Sequence, residues 1–534
     1  MKRFFFATPV VLLFILLTGV IASHLGADAN WDLQNYHFYN GYLWMHNKLI
    51  SDSLATVQSY LDPLLNSFYY ILISTLTPLQ VNLVIASLQS LSLTSVFFLS
   101  MIIFERNHFI KKLLISLAVS VSALFGPIFW SEIGGTMGDT LLASPVIIAI
   151  AFLAMATTPE TSFNKRGYYV VIAGLLIGFI SGLKFTNMTY AVAMFFSMAA
   201  VLTIIKLRHK DTVLLLLAFS LAATISFLAT YWPVGWLLWN NFKNPIFPYF
   251  NNIFKSPYLA HYAFNDNRWF PTTLIGYLTL PFAFCVRHAN TNPQHMVGME
   301  IPFKTYLFAT IFILLPFYIV GQIKKIARKE YVSYNGMFIV IFSAISFIVW
   351  EVMFSYYRYL AVIEIIGPLT ITIMLASFIN NGFKDSVISV VLSFLVVVIS
   401  AQSLPDSNWG REPFMSSYFG INKNSFVNYK NALIIVGHKP IGFVLPYFPR
   451  SDRIIGLPES IPKLTPVFQN VYLRKLRRFK GKMYYLSQYN KSLSVVKEHA
   501  TQLRREYNIN IKYSSCKEIK TNLYPVALCT ATRK

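Results

Sequence analysis

The chain has 534 residues, of which 55% are hydrophobic, 16% aromatic and 13% charged, with 45 Lys plus Arg against 22 Asp plus Glu and a formal net charge of +23. Together with a mean hydropathy of +0.51, so little charge excludes an ordinary soluble globular chain, where about 25% of residues are charged, and describes a polytopic membrane protein. Three cysteines without zinc-finger or iron–sulfur spacing, and no glycine-rich phosphate loop, argue against a metal scaffold and a nucleotide-driven pump.

Residues 4–23 form an apolar run behind Lys2 and Arg3, about 20 residues long and able to cross roughly 30 Å of hydrocarbon as a helix. No convincing small-residue cleavage site follows, so the run reads as a retained first span. Further spans are predicted near 79–104, 113–130, 139–157, 168–184, 188–205, 212–232, 305–322, 336–354, 358–379 and 385–402, about eleven in all. Basic residues cluster in alternate loops: Arg106, Lys111 and Lys112; Lys165 and Arg166; Lys206, Arg208 and Lys210; Lys324, Lys325, Arg328 and Lys329; and Lys384. With a cytoplasmic amino terminus every cluster is inside, as the positive-inside rule requires. Residues 24–78, 130–139, 233–304 and everything after 403 are then outside.

Two apolar stretches, 61–77 with Pro63 and 272–286 with Pro281, are too short or too interrupted to span and read as helices in or re-entering the interface. Past residue 405 the long apolar runs stop. Short stretches such as 432–436 and 441–445 alternate with turn residues, 491–507 reads as an amphipathic helix and 526–530 as a last strand. The expected fold is therefore a polytopic α-helical membrane protein with interfacial helices in its outer loops, a membrane module over 1–404 and a small extracytoplasmic α/β domain over 405–534. That domain holds 22 Lys plus Arg against 7 Asp plus Glu, a surface suited to solvation or to anionic headgroups and glycans. Nucleic acid is not an expected partner on that side of the membrane. Cys516 and Cys529, 13 residues apart, are close enough in sequence to pair in an oxidising compartment, a pairing the sequence leaves open.

The chemistry is sought on the outer face. Asp28, Asp32, Asp52, Asp62, Glu132, Asp139, Asp266, Glu300 and Glu351 gather there, 9 of the chain's 22 acids. Asp52, Asp62 and Asp139 suit helix caps or turns. Asp28 and Asp32 differ: they follow the first span directly, stand four apart and lead into an aromatic stretch containing Tyr36, His37, Phe38, Tyr39, Tyr42 and Trp44, a belt for the membrane–water interface. Lys184 interrupts the apolar pattern at the outer end of one span and Arg358 begins another. A cation near hydrocarbon needs a partner or a function. An ion pair of Arg358 with Glu364 and snorkelling of Lys184 stand beside the binding of a lipid phosphate as readings of these residues.

The segment DANWDLQNYH at 28–37, the second acidic loop EIGGTMGD at 132–139, the aromatic, Pro-rich loop at 232–271 and YYRYL at 356–360 resemble the GT-C superfamily of integral membrane glycosyltransferases. The resemblance extends over nearly the whole chain in architecture. It implies transfer of a hexose or pentose from a polyprenyl-phosphate donor to an extracytoplasmic glycan, lipid or protein acceptor, with inversion, in a bacterial inner membrane. It further implies Asp32 as the base, Asp28 as an acceptor-orienting group or ligand of a divalent metal, and Lys184 and Arg358 at the donor phosphate. His37, Glu132, Asp139, Lys243, Arg268 and Glu364 complete the expected substrate-binding set. The family's acidic pair is often separated by one residue, and here by three. Alternatives are an O-antigen-type polysaccharide polymerase or ligase, which would lean on outer arginines and a histidine; a lipid or solute transporter, disfavoured by the lack of internal repeats; and an inert envelope scaffold.

Overall fold

The computed structural model describes residues 4–263, 266–286, 298, 300–378, 383–401, 404, 409–437, 440–457 and 464–533. The chain divides into two compact units, one of 1–24, 83–230 and 266–409 and the other of 25–82, 231–265 and 410–534.

The first unit is helical. Among the described residues of the whole chain, eight helices are long and apolar enough to cross a membrane: 7–25, 78–103, 163–183, 185–204, 209–242, 307–327, 334–353 and 357–376. They coincide with eight of the predicted spans. The other three predictions fall on helices Phe109–Leu124, Ala143–Ala156 and Phe383–Ala401, of 16, 14 and 19 residues. Tight helix packing has a sequence cause in the stripe Gly174, Gly178 and Gly182. A Cβ on Gly174 would stand 2.6 Å from the Phe219 carbonyl oxygen and one on Gly182 2.7 Å from Thr230 Cβ, while one on Gly178 would collide with the Ala223 carbonyl. This is the small-residue spacing by which membrane helices approach closely. Arg166, one of the loop cations, is buried and donates to the carbonyls of Ala156, Thr158, Pro159 and Thr161, ending the Ala143–Ala156 helix.

The second unit contains a five-stranded sheet. Leu433–Val436 runs parallel to Arg453–Gly456 on one side and Met483–Gln488 on the other; Val526–Arg533 follows antiparallel, with Ile509–Ile519 at the edge. Leu433–Val436, flanked by parallel strands on both sides, is buried along its whole length, the pattern of a parallel strand covered on both faces. The 441–445 stretch forms a 3₁₀ turn, Gly442–Tyr447, because Gly442 lies against the Asn35 carbonyl where no side chain fits. The predicted terminal helix is Ser494–Tyr507, and the last strand runs on to Arg533. A disulfide joins Cys516 to Cys529.

One apolar core holds this unit together. Ile435, Ile455, Tyr485, Val496 and Cys529 pack in a cluster with Val57, Tyr60, Val234, Phe242 and Phe247. Polar ties join the same segments: Lys48 Nζ bonds Asp52 Oδ2 at 2.8 Å and the Asp452 carbonyl at 3.0 Å, and Lys475 Nζ donates to the Ser51 carbonyl at 3.0 Å. The two half-length stretches are helices Leu64–Thr75, in this unit, and Leu274–Ala283, in the first.

Candidate functional site

In the first unit the chemistry gathers on the EIGGTMGD loop. Gly134 and Gly138 take φ of +72° and +87°, conformations that glycine adopts without steric cost. Gln89, fully buried in the Pro78–Ile103 helix, fixes the loop: its Nε2 donates to the Glu132 carbonyl and to Thr140 Oγ1, both at 2.9 Å, and its Oε1 accepts from Gly134 N at 2.8 Å. Asp139, 6% exposed, faces two cations. Its Oδ1 is 2.6 Å from Lys184 Nζ, and its Oδ2 is 3.1 Å from Arg358 Nε. Lys184 also donates to the Met137 carbonyl at 3.0 Å.

Glu132 is fully buried, accepts from Thr140 N and Oγ1 at 3.0 and 2.9 Å through Oε2, and has no hydrogen-bond partner for Oε1 among the described residues. Burial first, and the Asp139 charge second, push its carboxyl well above the usual carboxylate range, against the opposing pull of Lys184 and Arg358. It is held in the neutral form at pH 7. Aromatic rings surround the guanidinium of Arg358, with Tyr356, Tyr359 and Trp409 centroids at 5.3, 5.7 and 5.6 Å. The segments that carry these rings are tied down: the Tyr356 backbone carbonyl accepts from Trp350 Nε1, the Tyr359 carbonyl from the Tyr190 hydroxyl, and Trp409 Nε1 donates to Ser131 Oγ.

The pairing of Arg358 with Glu364 expected from their spacing is not what the structure builds. Arg358 pairs with Asp139, while Glu364 accepts from Ile128 N, Phe129 N and the Tyr357 hydroxyl at 3.0, 3.1 and 2.8 Å. The reason is local: the first N–H groups of the Pro127–Glu132 helix lack helical acceptors, and a buried carboxylate satisfies them. Arg268 is half exposed and forms its ion pair with Asp266 at 2.6 Å.

In the second unit Asp28 is buried and its carboxylate folds onto Asn30, accepting from Asn30 N at 3.1 Å and from Nδ2 at 2.8 and 2.7 Å. Asn30 Oδ1 in turn accepts from Leu33 N at 2.7 Å and starts a π-helical turn, Leu33–His37. Single π turns of this kind are frequent at functional sites. The backbone of Asp28 is fixed from the carboxyl-terminal part of the chain by strand pairing with Arg411 and by the Tyr418 hydroxyl at 3.0 Å. Asp32 opens the turn and is partly exposed. His37 is buried, with Nδ1 2.5 Å from Asn66 Oδ1. Lys243 is exposed, at φ +58° just past the helix His209–Phe242.

The structure thus brings Glu132, Asp139, Lys184 and Arg358 into one cluster in the first unit, places Asp28, Asp32 and His37 on one turn in the second, and sets Glu364 and Arg268 in separate roles. Gln89, Tyr190 and Asn66 carry no signal by which sequence would select them; Tyr356, Tyr359 and Trp409 are visible only as aromatics beside Arg358 or past the last span. Among the described residues no group of three or more His, Cys, Asp or Glu is arranged to hold a metal ion.

No protein-family model matches the chain, and no curated protein matches it in sequence. Its structure is similar to the crystal structure of ArnT from Cupriavidus metallidurans in the apo state, with a TM-score of 0.52 at 11% identity over 98% of each chain. It is also similar to that of ArnT from Cupriavidus metallidurans bound to undecaprenyl phosphate, with a TM-score of 0.50 at 10% identity over 98% of this chain and 97% of the other. The fold expected from the sequence is the fold observed: this polytopic helical membrane protein has an ArnT-like fold along 98% of its length.

Proposed function

We propose that the protein is a glycosyltransferase of the bacterial inner membrane that moves a sugar from a polyprenyl-phosphate donor to an extracytoplasmic acceptor. The observation that carries this reading is the likeness, over nearly the full length of both chains, to a GT-C protein crystallised with undecaprenyl phosphate. The half-buried Lys184 and the buried Arg358 add to it, since two cations at one point suit a phosphate. The amino terminus is cytoplasmic and the carboxyl-terminal domain outside, on the count of basic loops.

In the reaction an acceptor hydroxyl oxygen attacks the anomeric carbon, the bond from that carbon to the phosphate oxygen breaks, and its electron pair leaves with the phosphate. Lys184 and Arg358 stabilise the charge that develops there. The acceptor proton passes to Asp32, which is partly exposed and lies at the head of the π turn. Asp28, both oxygens engaged by Asn30, holds that turn in shape. A single displacement of this kind inverts the anomeric centre.

The test is sugar transfer by purified protein in nanodiscs from an undecaprenyl-phosphate sugar. Loss of transfer by about 10²-fold or more in Asp32→Asn, with thermal stability unchanged, supports the assignment of the base. Full activity in that variant removes Asp32 from the mechanism.

A further inference from the structure

The transfer proposed above converts a phosphodiester into a phosphomonoester in place, and the role inferred below for Asp139 rests on that reading. The donor phosphate carries one negative charge. The phosphate left behind carries a second one once its last proton dissociates, near pH 6 for a phosphate monoester.

Lys184 and Arg358 attract both species, but in company with a fixed anion. The Asp139 side chain, 5% exposed, lies 2.6 Å from the Lys184 ammonium and 3.1 Å from Arg358 Nε. A phosphate that reaches these cations shares them with a carboxylate at contact range. Coulomb energy scales with the product of the charges, so this repulsion counts once against a monoanion and twice against a dianion. Burial leaves it weakly screened. The other ionisable groups facing Asp139 are Glu132 on the short helix, Lys184, Arg358 and the Tyr190 hydroxyl. Glu132 and Tyr190, both buried, are neutral and add no repulsion of their own.

We infer that Asp139 is a selectivity residue that lowers affinity for the doubly charged phosphomonoester product more than for the singly charged phosphodiester donor, so that the gain in hold that two cations alone would give when transfer adds a charge is held down. Asp139 positions the cations and takes no part in bond making.

The experiment is isothermal titration calorimetry of the full-length protein in nanodiscs with farnesyl phosphate and its methyl ester. At pH 7 the ratio of monoester to diester Kd falls by about tenfold or more in Asp139→Asn, and Asp139→Glu retains most of the wild-type ratio. Equal changes in both affinities, or an unchanged ratio, overturn the inference while leaving the phosphate site standing. Should Asp139→Asn fail to fold, the wild type decides. At pH 7 it binds farnesyl phosphate less than about tenfold more tightly than the methyl ester, and a preference of tenfold or more overturns the inference. Sugar transfer is needed for neither measurement. Failure of both ligands to bind the wild type would instead overturn the role of Lys184 and Arg358 proposed above, and this inference with it.

Discussion

The carboxylate of Glu364 accepts the backbone N–H of Ile128 at 3.0 Å across 236 residues of sequence. A side chain on one membrane helix thereby ends a short helix whose other end is Glu132. Gly126 is small because a Cβ there would collide with the Glu364 carboxylate. The loop bearing Asp139 is thus held from two sides, by Glu364 through the short helix and by Gln89 directly.

Replacing Glu364 with Ala leaves the Ile128 and Phe129 amides unpaired in a buried setting. The expected cost is about 1–3 kcal/mol of stability, seen as a lower midpoint in a thermal melt of detergent-solubilised protein. Glu364→Gln keeps one acceptor oxygen and loses less. An unaltered melt in Glu364→Ala would show that the amides find other partners.

Arg268 and Lys184 both belong to the substrate-binding set expected from the sequence, Lys184 at the donor phosphate, and the structure gives them different surroundings. Arg268 is half exposed and neutralised by Asp266, so Arg268→Ala is expected to change the donor KM by no more than about threefold, the scale of an exposed pair. Lys184→Ala, which strips a buried carboxylate of a partner, is expected to lower kcat/KM by about 10²-fold or more. Comparable losses in both would return Arg268 to the donor site.

Asp62 gives stability a pH dependence. Its Oδ1 accepts from Leu64 N at 2.8 Å, its Oδ2 has no hydrogen-bond partner among the described residues, and burial raises the carboxyl to about 7. A folded pKa raised above the unfolded value favours the protonated form. The stabilisation is complete below about pH 4 and is lost as pH rises through 7. The wild type is therefore expected to melt at lower temperature as pH rises from 5 to 8, and Asp62→Asn to flatten that fall. Parallel profiles for the two proteins would contradict the assignment.

At Gly178 the obstacle is backbone, which cannot swing aside. Gly178→Ala drives a methyl into the Ala223 carbonyl and separates two membrane helices, with an expected loss of about 1–3 kcal/mol, read as a lower melting midpoint or reduced yield of folded protein. Gly167, with open space around the same added atom, is the matched control and should tolerate alanine.

Spans, half-length helices and the small terminal sheet were legible because each rests on local pattern: run length, proline placement and the sign of loop charge. The acidic loop at 132–139 and the pair Asp28 and Asp32 were legible for a related reason, since ionisable residues are rare in this chain. Partners were not. Nothing in the spacing of Arg358 and Glu364 says that the guanidinium turns to Asp139 and the carboxylate to the Ile128 amide; that choice is made by helix packing, to which one sequence is blind. Gln89 was hidden for the same reason, as one of several uncharged polar residues, Gln80 and Asn82 among them, in the Pro78–Ile103 helix. The different surroundings of Asp28 and Asp32 depend on the Asn30 side chain, which reads as loop filler until its hydrogen bonds are seen.

The Tyr418 hydroxyl meets the Asp28 carbonyl across 390 residues of chain, and this sets a schedule for biogenesis. At about 5–20 residues per second, the segment carrying both aspartates waits roughly 20–80 s after its own synthesis before the strand and tyrosine that brace it exist. Throughout that interval the nascent polypeptide holds an incomplete acidic turn, and its bracing arrives only with the last quarter of translation.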